Sequence, residues 1–311
     1  MTWRRLLRRE VFLCVLIVGL IAFNSVLFPS VFPKLGNFSA ILRGLAFDGI
    51  MACGMMLLLV GGTFDLSVGS IFSMTGVIAG WLMKEAGVAV PLAVLGGVAS
   101  GLLAGLLNGL IVAHVKVNAL IATLGTMGIY RGVAVLVGGP GIAFLPASFS
   151  KPGQTVILGL QAPVWLLIAI AALANFLLAK TRFFRQYYYI GNNATAARLS
   201  GINVARLQVV AFAIMGLLAG VAGITFASRV GTSVSVSGDG AELRVITAAI
   251  LGGASLNGGR GTIWGALIGV VFVAMINNAL IIGSVSVYWQ SIITGTVLVL
   301  AVAMDRFTRS V

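Results

Sequence analysis

The chain has 311 residues, of which 59% are hydrophobic and 9% charged, and its mean hydropathy is +1.11. A soluble domain carries about 25% charged residues, so this composition excludes a water-surrounded globule and fits a chain whose outer solvent is a bilayer. The net charge of +13 sits largely at the ends of apolar runs, where membrane proteins collect Lys and Arg, and is not a nucleic-acid signal.

In chain order, Arg4, Arg5, Arg8 and Arg9 precede an apolar run from Val11 to Phe28. Arg8-Arg9 ahead of Phe12-Leu13 has a twin-arginine look. The run is longer than the ~7–15 residues of a signal core, and no small-residue cleavage site follows it, so it reads as a retained first span. Apolar segments then recur, giving ten in all, at about 11–29, 42–60, 68–83, 90–113, 119–137, 163–180, 207–227, 244–254, 263–283 and 286–304. A span needs about 20 mostly apolar residues. The third and eighth are short and adjoin glycine-rich stretches, the pattern of broken or re-entrant helices. The expected fold is therefore all-α and polytopic, with about ten transmembrane helices in a single domain, 1–311. The longest connections, about 138–162 and 181–206, are too short to build a core.

With the amino terminus inside, the inside segments hold Arg4, Arg5, Arg8, Arg9, Lys116, Lys180, Arg182, Arg185, Arg198, Arg206, Arg260, Arg306 and Arg309, which is 13 of the 20 Lys and Arg. Lys34, Arg43, Lys84, Arg131, Lys151, Arg229 and Arg244 fall outside. The bias puts both termini in the cytoplasm.

Catalytic chemistry is not expected. The lone His114 lies in a basic turn, the seven acidic residues form no acid/base pair or metal cluster, and Gly-Lys never occurs, which removes a phosphate-binding loop. Cys14 and Cys53 sit in apolar runs as small fillers. Two isolated charges fall within spans, Asp48 in the second and Arg131 in the fifth. Such charges are expensive in hydrocarbon and should face protein or water; Arg131 could instead snorkel at the outer interface.

Three stretches carry more information. The first, Gly61-Gly62-Thr63-Phe64-Asp65-Leu66-Ser67-Val68-Gly69-Ser70, interrupts the chain after the second span. Asp65 and Ser67 are placed to cap the next helix; the alternative is a broken helix lining a path. The second runs from Lys180 to Ile202, where Asn192 or Asn193 can begin a short helix and Gly201 can end it. It serves either as a basic interfacial connector or as a docking element. The third, Leu251-Gly252-Gly253-Ala254-Ser255-Leu256-Asn257-Gly258-Gly259-Arg260-Gly261-Thr262, breaks the chain between the eighth and ninth segments. Asn277-Asn278 and Gln290 add polar groups for interhelical hydrogen bonds.

In this order and spacing, Gly62 to Gly69, Gly191 to Ile202 and Leu251 to Gly261 make the chain resemble the membrane permease subunits of bacterial ABC importers for simple sugars, of the ribose, arabinose, xylose and autoinducer-2 type. The resemblance implies a multi-pass protein of the bacterial inner membrane that moves a monosaccharide, is not an enzyme and binds no cofactor itself. Implied partners are a second permease copy, a separate ABC ATPase chain and a periplasmic sugar-binding protein. Gly191, Asn192, Asn193, Ala196, Ala197, Arg198, Ser200 and Gly201 would then form the ATPase coupling loop. Gly62, Asp65, Ser67, Gly69, Asn257, Asn277 and Asn278 would line or gate the path. Related loops often carry an acidic residue near the position of Ala194, which this chain lacks. An importer subunit for another solute, such as branched-chain amino acids, and an ion-coupled carrier are the alternatives.

Overall fold

A computed structural model describes residues 3–307. Arg309 lies outside them, as do the side chains of Arg4, Arg5, Arg8, Arg9 and Arg306. The helices are α1 (Trp3–Leu27), α2 (Leu35–Val60), α3 (Val68–Lys84), α4 (Val90–Leu110), α5 (Ala119–Gly138), α6 (Ala147–Gln154), α7 (Ala162–Lys180), α8 (Arg182–Asn192), α9 (Ala194–Leu199), α10 (Val204–Val230), α11 (Ala241–Leu251), α12 (Ile263–Ile282) and α13 (Val287–Phe307). A π-helical turn, Ile111–Val115, extends α4 and carries the exposed His114. Each of the ten apolar segments read from the sequence corresponds to a helix.

Among the described residues, seven helices are long and apolar enough to cross a membrane: α1, α2, α4 with its π turn, α5, α7, α10 and α12. The 17-residue α3 and 11-residue α11 are the two short segments, and the described apolar part of α13, Tyr288–Ala303, is also short. The 181–206 connection folds as two helices, α8 and α9, rather than one. The all-α expectation misses one detail: the 138–162 connection contains α6 and a two-stranded antiparallel hairpin, β1 (Val156–Ile157) and β2 (Leu160–Gln161).

The core forms around α2 and α10. A helix that is apolar all round is a buried helix, and from Leu45 to Val60 every residue of α2 except Asp48 is buried. Phe226 of α10 joins this core, its ring centroid 5.3 Å from Phe47 of α2 and 5.4 Å from Phe72 of α3. The closest packing is between α4 and α10. Gly97, Gly101, Gly105 and Gly109 recur every four residues and so lie on one face of α4. A methyl group on Gly105 would come within 3.0 Å of the Cα of Gly216, and one on Gly109 within 2.8 Å of the Cα of Val209. The stripe lets the two backbones touch, the usual route to tight association where lipid supplies no hydrophobic drive.

Candidate functional site

The three information-bearing stretches, far apart in sequence, meet at one place. Gly259 donates its backbone N–H to the carbonyl of Val60 at 2.8 Å, tying the α11–α12 break to the end of α2. A side chain on Gly258 would stand 2.7 Å from the Cα of Gly191 and 2.8 Å from the Cα of Gly62. Gly62, Gly258 and Gly259 all have positive φ, a backbone that glycine adopts without cost. The α2–α3 break, the end of α8 and the α11–α12 break are thus packed main chain on main chain.

Two tyrosines of α8 strengthen the junction. The Tyr188 hydroxyl donates to the Gly261 carbonyl at 2.9 Å, and the Tyr187 hydroxyl donates to the Leu207 carbonyl of α10 at 2.8 Å. Burial pushes both phenols above their ordinary pKa, so they remain neutral donors. Beyond them, Asn193 ends α8 and caps α9, its side chain accepting from the Ala196 amide at 2.9 Å, as the asparagine pattern indicates. Gly201 follows α9 with φ 83°. On α9, Ala196, Arg198, Leu199 and Ser200 face outward and Leu199 is 86% exposed, whereas Ala197 is buried in the core. Ala197 is therefore not part of the outward surface of this loop: its place on the helix turns its side chain toward the core, and its N–H donates to the Asn193 carbonyl at 3.0 Å within the helix.

Asp65 and Ser67 behave differently from simple caps. Neither side chain bonds an amide of α3. Instead one oxygen of Asp65 accepts from the amide and hydroxyl of Ser67, at 2.8 and 2.6 Å, and the other accepts from Asn108 Nδ2 of α4 at 3.1 Å. Asn108 Nδ2 also donates to Ser67 Oγ at 2.8 Å. The Tyr130 hydroxyl of α5 lies 2.9 Å from the Ala104 carbonyl and 3.2 Å from Asn108 Oδ1. Asp65, Ser67 and Asn108 are fully buried. The acid is held by neutral donors from its own break and from α4, a network that locks α3 to α4 and α5.

A second polar group surrounds the start of α11. Arg244 grips Asp48 through two bonds, Nε to Oδ2 at 3.0 Å and Nη2 to Oδ1 at 3.3 Å. Arg131 of α5 pairs with Asp239 at 2.8 Å. The expectation of two isolated intramembrane charges is therefore corrected: Asp48 meets Arg244 in the first turn of α11, and Arg131 meets Asp239 just before that helix. Glu242 lies between them, buried, with Oε2 unpartnered. Gly238 donates its N–H to Ser73 of α3 at 2.8 Å, and a side chain on Gly69 would meet Glu242. Asp239 and Leu243 are exposed and Arg131 and Arg244 half-buried, so this charged group reaches the surface of the subunit.

The remaining expected path residues scatter. Asn257 is exposed in the α11–α12 break beside Gly62. Asn278 exchanges amide hydrogen bonds with Asn37 of α2, at 2.8 and 3.1 Å, an interhelical clasp. Asn277 is half-buried on the same helix, and Gln290 bonds the nearby Val285 carbonyl.

Residues 37–302 match the family described as branched-chain amino acid transport system / permease component. The chain is 40% identical over 257 residues to the autoinducer 2 import system permease protein LsrC of Shigella flexneri, covering 82% of this chain and 75% of that protein. It is equally similar, with the same coverage, to the protein of that name in Escherichia coli K12, and 36% identical to the one in Salmonella paratyphi B, 74% of which is covered. The chain belongs to this permease family. No solved structure matches it.

The permease is thus a multi-pass subunit of the ABC-importer type, and its relatives are transport proteins rather than enzymes. Sequence reading missed Asn108, Tyr130, Asp239, Glu242 and Arg244 in this permease. Asn108 had a signal, as the sole amide within the apolar run 90–113. The acid-acid-base run Asp239, Glu242, Arg244 at the lip of a short segment was another.

Proposed function

We propose that this permease is the transmembrane subunit of an ATP-driven importer for a small sugar-like solute, of the kind named in its autoinducer 2 relatives. The observation that carries the reading is the junction of α8 with both helix breaks. If a separate ATPase chain docks on α9, any shift of that helix is delivered through α8 to Val60, Gly62 and Gly258, and so to the ends of α2, α3, α11 and α12 together. Backbone-to-backbone packing has little slack, which suits it to passing on movement between two arrangements. The excess of Lys and Arg on the α9 side favours a cytoplasmic location for that face and for both termini.

The path is best sought at the exposed edge of the α11 charge group. Arg131, Asp239 and Arg244 are only partly covered by their own subunit, and such charges must face protein or water within a bilayer. A second permease copy across this edge would enclose a polar route. Selection of the solute is assigned to a periplasmic binding protein. The family description keeps branched-chain amino acids as the competing cargo.

The test is reconstitution in liposomes with and without the ATPase and binding-protein chains. ATP-dependent uptake of pentoses or autoinducer-2-type sugars, requiring both partners, is expected. Uptake of leucine or valine in their place would reassign the cargo, and uptake driven by an ion gradient without the ATPase would overturn the reading.

A further inference from the structure

A basic cleft and an apolar groove adjoin at the α9 face. The cleft, about 800 Å³, opens between α1, α7, α8 and α12, and its walls carry Lys180, Arg185, Arg260, Asn175, Tyr188 and Trp264. The groove, about 450 Å³, is lined by Val11, Cys14, Val15 and Val18 of α1 and Ile268 of α12. Glu10 borders both, so the two adjoin. From this geometry we infer that the pair is a binding site for an anionic phospholipid, with the headgroup in the cleft and one acyl chain in the groove.

The charge balance favours an anion. Among the described residues, three cations and one carboxylate line the cleft, and Glu10 already accepts the Thr262 hydroxyl at 3.0 Å. None of Lys180, Arg185 and Arg260 pairs with a carboxylate among the described residues. The cleft is therefore short of negative charge, and a phosphodiester supplies one with several acceptor oxygens for charge-assisted bonds. The Asn175 amide offers further donors from α7.

Depth favours a lipid over a free anion or a soluble protein. Lys180 is the last residue of α7 and Trp264 lies in the first turn of α12, which puts the cleft where spans meet the membrane surface. Trp264 is 54% and Tyr189 55% exposed, and interfacial tryptophan and tyrosine mark headgroup level. From there the groove follows α1 for about two turns toward the hydrocarbon, along Val11, Val15 and Val18, where beyond Glu10 the Cys14 thiol is the most polar group offered to a soluble partner. Basic pockets between transmembrane helices are established sites for anionic headgroups.

Native mass spectrometry of the full-length permease, alone or in its assembled importer, tests this. Phosphatidylglycerol should be retained at one per permease chain at least tenfold more readily than phosphatidylethanolamine. The double substitution Arg185→Gln/Arg260→Gln should remove that preference. Val18→Trp should weaken long-chain phosphatidylglycerol by filling the groove while leaving the charges intact; Val18 is 65% exposed, so folding does not depend on it. Equal retention of the two lipids would overturn the proposal. So would retention that neither substitution changes, or full displacement by millimolar inorganic phosphate with no effect of Val18→Trp, which would make the cleft a free-anion site. Loss of ATPase binding with unchanged lipid retention in the double variant would reassign the cations to protein docking.

Discussion

Gly191 packs so closely against Val60 that a single added methyl group would strike the Val60 carbonyl and the Gly259 amide. Both are backbone, so neither can swing aside. Gly191→Ala should therefore cost about 1–3 kcal/mol through overpacking or push α8 off the two breaks. Reconstituted transport should fall by about tenfold or more, and the melting temperature of the detergent-solubilised protein should drop. Gly19→Ala is the control. Nothing lies within 4 Å of the site a side chain would occupy there, and removing a mid-helix glycine should be neutral or stabilise by up to about 1 kcal/mol.

The Asp65 network predicts an ordering. Asn108→Leu removes the only α4 donor to Asp65 and Ser67 and leaves a buried carboxylate partly unsatisfied, at a cost of about 1–3 kcal/mol. Tyr130→Phe takes a shared donor from the Ala104 carbonyl and from the neutral Asn108 Oδ1, leaves no charged group without its donors, and should cost less, about 1 kcal/mol. Thermal unfolding of the two variants should rank them in that order. Equal melting points would mean that Asn108 does not hold Asp65.

Arg244 and Asp48 should be coupled. Breaking a fully buried ion pair costs about 3–5 kcal/mol. These side chains are 28% and 22% exposed, so Arg244→Ala should cost less, about 2 kcal/mol. Asp48→Asn should rescue part of that loss by removing the stranded charge. A double-mutant cycle on unfolding checks it, and purely additive losses would count against the pair.

Much of this was legible in the sequence, and the physical reason differs from place to place. Apolar runs marked all ten principal helices, and most of those runs are long enough for a span, because a bilayer imposes length and hydropathy directly. The short third and eighth runs announced α3 and α11. The pair Asn192-Asn193 and Gly201 announced the two ends of α9, with Asn193 as the actual cap, since caps are local interactions between near neighbours. Long-range pairing left no such mark. Nothing in the spacing of Asp48, Arg131, Asp239 and Arg244 says that the start of α11 and the residues just before it carry opposite charges to α2 and α5. Asp65 looked like a cap because its true partner, Asn108, is 43 residues away. The convergence of Gly62, Gly191 and Gly258 was equally invisible: glycine clusters signal close approach without saying to what.

The two faces of α9 separate docking from folding. Leu199 is 86% exposed and Ala197 is 5% exposed, one residue turned outward and the other into the core. A carboxylate at position 199 enters water and disturbs nothing within the subunit, but it changes an apolar contact on the surface where an ATPase chain would sit. Leu199→Asp should therefore insert and melt like the parent, while solute-stimulated ATP hydrolysis in the reconstituted importer falls by about tenfold or more, the loss expected when a central apolar anchor is removed. Ala197→Asp buries a charge in the hydrophobic core, so it should lower the yield and melting temperature of the subunit itself before any question of coupling arises. Measuring both properties on both variants resolves the roles. If Leu199→Asp retained full stimulated hydrolysis, α9 would be a connector and the docking surface would have to be sought elsewhere on this face.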